Sequence, residues 1–154
     1  MIKETWQLIR WLFSKPPETL EYHKMRYYPF SGYSILFWCG RLVGKEKPTR
    51  KTTWTHETIH SCQAKVLYGS YWKFYLAYLW NWIIGAIWML SWDAGYYTGK
   101  FETEAYANQE NENYPGEYKK GMIKKYTFTL RERSRLWKET GKSRWVWKEM
   151  IKDL

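Results

Sequence analysis

The sequence predicts an α+β fold, mostly helical, with a strand candidate placed ahead of a helix that carries two histidines. Three observations lead there. At 154 residues the chain has the length of one domain with one core. The stretch from Tyr33 to Val43, set between Gly32 and Gly44, is the best strand candidate, rich in aromatic and branched residues. The other patterned segments repeat at helical spacing.

The elements follow in order. Residues 2–13 read as a short amphipathic helix with Ile2, Trp6, Ile9 and Phe13, and with them Leu8 and Leu12, recurring, stopped by Lys15-Pro16-Pro17. It is expected to pack on the domain, with a membrane-surface anchor as the alternative. Residues 18–30 are mixed and aromatic, contain the isolated His23, and close in a turn at Tyr28 to Gly32. The strand over 33–43 follows, where Gly40 suggests a bulge or a close approach. After a basic loop, Thr52 or Thr53 can cap a helix over 53–68 that stops at Gly69. Its faces separate, with His56, His60, Gln63 and Leu67 on one side and Ile59, Cys62 and Val66 on a core side. Residues 74–92 are uncharged over nineteen positions, which is transmembrane length, although Asn81 and the many Trp and Tyr make them less apolar than a usual span. A turn-rich link leads to a polar helix over 101–113, ended by Tyr114-Pro115-Gly116. Leu130–Lys138 and Ser143–Leu154 complete the chain as surface helices parted by Gly141.

Composition narrows the partners. The formal charge is +10, and twelve Lys/Arg face four Asp/Glu from Lys119 onward. That balance suits acidic headgroups, nucleic acid or a well-solvated tail. No nucleic-acid motif or Gly-rich phosphate loop is found, so no nucleic-acid partner is expected. Two cysteines, Cys39 and Cys62, make no disulfide framework and no cysteine zinc site. Lys3, Glu4, Gln7 and Arg10 interrupt any apolar signal region, so a cytoplasmic location is expected, with membrane association as a variant of it.

The chemistry concentrates in His56-Glu57-Thr58-Ile59-His60. On a helix, positions four apart share a face, so His56 and His60 can turn imidazole nitrogens toward one zinc ion. Glu57 stands where it can take a proton from a water held there. Two histidines hold a catalytic zinc poorly, and a third protein ligand is expected. Carboxylates on the following polar helix are the candidates. Glu102 and Glu104 lie two residues apart, about half a turn, so only one of them can face the metal. This also constrains residues 74–92. A single crossing would leave that carboxylate roughly 30 Å away on the other side of a bilayer, so a shared metal and a span exclude each other. The motif therefore favours a segment buried in the domain or lying along a membrane surface.

His56-Glu57-x-x-His60 followed by Phe101-Glu102-x-Glu104-Ala105-Tyr106 resembles the gluzincin class of zinc peptidases, chiefly its minimal and membrane-associated bacterial members. The fuller pattern, with Gln63, Phe74 to Leu79 and Asn108, is similar to a group of small bacterial proteins of zincin-like type. The resemblance covers residues 33–115. It implies a minimal zincin-like α+β domain over 1–154, with a small sheet packed against the helix of His56 and His60, a metal-site core at 33–115 and a basic helical part at 117–154. It implies Zn2+ bound by His56, His60 and Glu102, with Glu104 as the alternative third ligand or as support behind the site. It implies Glu57 as general base and a peptide or protein substrate held in extended form by the preceding strand. Tyr106 stands where many relatives have Asp, and is a candidate donor to the substrate carbonyl oxygen. The rival expectation is a non-catalytic protein of the same fold that binds a protein partner or an anionic surface through its basic C-terminal region. A structural or sensing metal site is a third.

Overall fold

The structure, a computed structural model, describes residues 2–25 and 35–154. The chain runs α1 (Ile2–Phe13), β1 (Glu21–Lys24), β2 (Ile35–Trp38), β3 (Arg41–Gly44), α2 (Lys51–Cys62), α3 (Tyr71–Met89), α4 (Trp92–Tyr97), α5 (Lys100–Asn108), α6 (Leu130–Glu139) and α7 (Arg144–Lys152). A π-helical turn, Gln63–Tyr68, extends α2, and two 3-10 turns lie between α5 and α6. The fold is α+β and mostly helical, with one three-stranded sheet.

The expected strand over 33–43 divides in two, and its first two residues lie outside the described ones. Cys39 and Gly40 both take positive φ, 50° and 78°, and form a two-residue hairpin turn that pairs Trp38 with Arg41. Such turns match the twist of the flanking strands, and glycine at the second position meets no steric cost there. The close approach suggested for Gly40 also exists, because a Cβ there would lie 2.8 Å from the Tyr71 hydroxyl. β3 is central. It runs antiparallel to β2 and parallel to β1, a strand not anticipated in the polar run Glu21 to Lys24.

The helix over 53–68 begins earlier than expected, at Lys51, with Arg50 at the N-cap and no side-chain cap from Thr52 or Thr53. Its second half changes phase. A π turn carries more residues than an α turn, so the side chains beyond Cys62 rotate relative to an ideal α-helix. Val66, expected in the core, is accordingly exposed, whereas Ala64 is fully buried. Ile59 does face the core, against Ala105 of α5.

α3 spans 71–89, three residues earlier than the apolar run suggested, and no described helix is long and apolar enough to cross a membrane. It is not wholly buried either. Tyr71, Phe74, Gly85 and Ala86 face inward while Leu76, Trp80 and Ile87 face water. Asn81 has a structural use on this helix: its side-chain oxygen accepts the Lys100 N–H, and its carbonyl accepts from Arg133. α4 folds back on α3, and the approach is close enough that a Cβ on Gly95 would sit 2.5 Å from the Ala86 nitrogen.

α5 ends at Asn108, shorter than the expected 101–113. α6 begins in a capping box formed by Thr129 and Glu132. α6 and α7 are amphipathic and not merely surface helices, since Trp137, Trp147 and Ile151 are buried together with Ala94. Arg133 is buried without a carboxylate partner. It donates to Thr98 Oγ1, the Asn81 carbonyl and the Gly95 carbonyl, and burial lowers its pKa to about 10. Three hydrogen bonds thus tie α6 to the α3–α4 pair. Among the described side chains of α1, Leu8 of the predicted set is buried beside Trp11 and Leu12 packs against the core, while Trp6, Ile9 and Phe13 point outward.

Candidate metal centre

α2 and α5 meet through Ile59 and Ala105, and the contact sets the carboxylate of Glu102 opposite the two histidines. His56, His60 and Glu102 are all buried. The imidazole Nε2 atoms lie 3.2 Å apart. One Glu102 oxygen is 3.1 Å from His60 Nε2 and the other 3.4 Å from His56 Nε2. Taking one atom from each residue, all three fall within 4.8 Å of one another, the one such group among the described residues.

The hydrogen bonds behind the site fix the orientation of His60. The Gln63 amide nitrogen donates to the Glu104 carboxylate at 2.8 Å and to the Phe101 carbonyl at 3.0 Å. Its oxygen is therefore left to accept from His60 Nδ1–H, at 2.8 Å. With Nδ1 carrying that proton, the Nε2 lone pair of neutral His60 is aimed at His56 and Glu102. Glu104 stands behind Gln63, fully buried, and also accepts from the Tyr114 and Tyr118 hydroxyls at 2.9 and 3.0 Å. Of the two candidate third ligands, Glu102 thus joins the histidines and Glu104 supports them through Gln63. Burial raises the Glu104 carboxyl in spite of these three donors.

The electrostatics express the same crowding. Burial alone would raise the Glu102 carboxyl, but the two imidazoles outweigh it and hold Glu102 well below the usual carboxylate range. Burial alone would lower His60, but the Glu102 carboxylate outweighs it and lifts His60 to about 9. These shifts describe one coupled pair. Glu102 Oε2 is buried and makes no hydrogen bond, the His56 contact lying outside hydrogen-bond geometry. Two imidazole nitrogens and a carboxylate converge out of water with one oxygen unpaired, and a cation that displaces the His60 Nε2 proton would satisfy all of them.

Glu57 is partly exposed and close enough to His56, His60 and Glu102 for their charges to act on it. Burial raises its carboxyl and the histidines partly offset this. Tyr106 also reaches the site, with its ring 4.5 Å from that of His56. His23 does not, since it pairs with Glu21 and packs on Trp11. The two cysteines are free, and Cys62 turns its sulfur toward the Pro115 carbonyl.

Three neighbours escaped sequence reasoning. The Tyr78 hydroxyl on α3 donates to Glu102 Oε1 at 2.6 Å, and Tyr96 lies near enough that burial and the Glu102 charge push its hydroxyl up. Lys148 on α7 sets its ammonium 3.7 Å from the centre of the Tyr106 ring. For Tyr78 a signal was available, because Phe74 and Tyr78 are four apart and share a helix face. For Tyr96 and Lys148 no local pattern could have served. Comparison with protein families, with curated protein sequences and with solved structures matched nothing to this chain.

Proposed function

We propose that this chain is a zinc-dependent hydrolase of peptide bonds with a minimal zincin-like fold. The observation behind the proposal is the convergence of His56, His60 and Glu102 around one point, with Glu57 next to the first ligand in the sequence. A tetrahedral zinc with bonds of about 2.0–2.1 Å has its ligand atoms about 3.3–3.4 Å apart. The 3.2 Å between the two imidazole nitrogens suits that spacing, and with one oxygen taken from Glu102 the three ligand atoms lie within 4.8 Å of one another. Imidazole and carboxylate donors also suit zinc more than a hard cation such as calcium or magnesium.

Zinc bound there would polarise a water and a substrate carbonyl. The remaining work belongs to the chain. Glu57 takes the proton of the attacking water and returns it to the leaving amine, and its raised carboxyl is suited to both transfers. Gln63 and Glu104 keep the His60 ring in its binding orientation. Tyr78 holds Glu102 by one oxygen. Tyr106, against the His56 ring, is the phenol available to a developing oxyanion. The substrate lies extended along β2, an edge of the sheet, where Phe37 packs 6.0 Å from the His60 ring.

Two measurements test the reading. Protein purified without added metal contains one zinc per chain, and Glu57→Gln keeps that zinc while losing hydrolysis of a denatured protein substrate by at least a hundredfold. Turnover by Glu57→Gln at the parent rate overturns the general-base assignment. A zinc-loaded parent that cleaves no peptide points to the non-catalytic alternative.

A further inference from the structure

We infer that the outer face of α3 seats this protein on the surface of a bilayer containing anionic lipid. The inference does not depend on the metal reading. Along α3, Trp72, Leu76, Trp80, Ile87 and Trp88 are each 45–67% exposed, and their spacing keeps them on one side of the helix. A stripe over these sixteen steps is about 24 Å long. It continues onto α1, whose exposed Phe13 meets Trp72 with ring centroids 6.3 Å apart. Soluble proteins rarely expose so much contiguous apolar surface without a partner.

The end of the stripe is the most informative part. Leu90 closes α3 in the left-handed region at φ 52° and is 92% exposed. Glycine or asparagine takes that conformation at less cost and would be expected at such a helix end. The fold gains nothing from a leucine held there in water. A leucine dipping beneath headgroups gains its transfer free energy.

Charge identifies the occupant. Trp88 and Leu90 border a cavity of about 530 Å³ that is also lined by Lys138, Lys142 and Arg144, against one acid, Asp93. At the other end, Lys73 lies exposed beside Trp72. Tryptophans flanked by cations match the headgroup region of an anionic leaflet. A second copy of the chain docked through the same face would bring like charges together. The apolar stripe lies along the helix, and no described helix is long and apolar enough to cross, so α3 rests in the plane of the interface.

Flotation with phosphatidylcholine vesicles, with and without phosphatidylglycerol, tests this on the full chain. The parent should float with the phosphatidylglycerol vesicles and not with phosphatidylcholine alone, and brominated acyl chains should quench part of its tryptophan fluorescence. The pair Leu76→Glu and Ile87→Glu, at exposed positions, should abolish flotation with an unchanged circular dichroism spectrum. Replacing Lys138, Lys142 and Arg144 by Ser should weaken binding roughly a hundredfold, at about fivefold per cation. A parent that stays with the soluble fraction overturns the inference. So does flotation that survives Leu76→Glu with Ile87→Glu, since charge alone would then explain it. A parent that is dimeric in sedimentation, and monomeric in that double variant without ever floating, assigns the face to a second copy.

Discussion

The two carboxylates of α5 are two residues apart and take different partners, Glu102 the histidines and Glu104 Gln63, so a pair of isosteric substitutions separates their proposed roles. Consider Glu104→Gln. The parent carboxylate accepts from Gln63, Tyr118 and Tyr114 in a fully buried site. An amide can keep its oxygen toward Gln63 and Tyr118, but its NH2 then faces the Tyr114 hydroxyl, which must turn to accept. Hydrogen bonds to a charged group contribute about 1.5–3 kcal/mol, against about 1 for neutral pairs, and one partner is inverted. Relief of the buried charge works the other way, as the raised Glu104 carboxyl indicates. The net loss should be about 2 kcal/mol, a fall of about 4–8 °C in melting temperature for a chain of this size. Metal should remain bound, because neither donor on His60 nor Glu102 is touched. Glu102→Gln should do the reverse and release the metal, since an amide oxygen is a far weaker ligand than a carboxylate. Differential scanning calorimetry and metal analysis of both variants decide the matter. Zinc lost from Glu104→Gln and retained by Glu102→Gln would refute the assignment of these roles.

Two further outcomes can be measured directly. In metal-free protein the raised His60 binds its proton more tightly folded than unfolded, so its contribution is complete below about pH 6.5 and disappears as pH rises toward about 9. Urea denaturation should show stability falling across that window by on the order of 2–3 kcal/mol, counted once for the coupled His60–Glu102 pair. A flat profile, or one that rises with pH, would contradict the proton shared in the site. Gly95→Ala should cost about 2–3 kcal/mol by forcing α4 off α3, whereas Gly121→Ala, where a Cβ meets open space, should be nearly neutral in the same titration.

What could be seen in the sequence was what local geometry determines. His56 and His60 share a face because any α-helix puts residues four apart together, and the helical periods over α1, α2, α3, α6 and α7 appear for the same reason. The choice of Glu102 over Glu104 came from a resemblance and not from local geometry, and only the contact between α2 and α5 brings it to the histidines. β1 was missed because Glu21-Tyr22-His23-Lys24 has no apolar alternation, and its pairing is with residues twenty positions away. Val66 was misassigned because the π turn shifts phase where an α-helix would continue, and no residue type announces it. The approach of Lys148 to Tyr106 depends on α7 packing on α5, a contact across more than forty residues.

The same separation has a kinetic side. His56 and His60 are neighbours as soon as α2 forms, but Glu102 reaches them only after α3 has run out and α4 has turned the chain back. A metal ion gripped by all three acts as a cross-link closing a loop of about forty residues. Its removal would therefore be felt along the whole α3–α4 excursion, with Tyr78 and the Asn81 contacts loosening as the ends of that loop are released. On the proposed reading the centre would be a clasp on the chain as well as a place for chemistry.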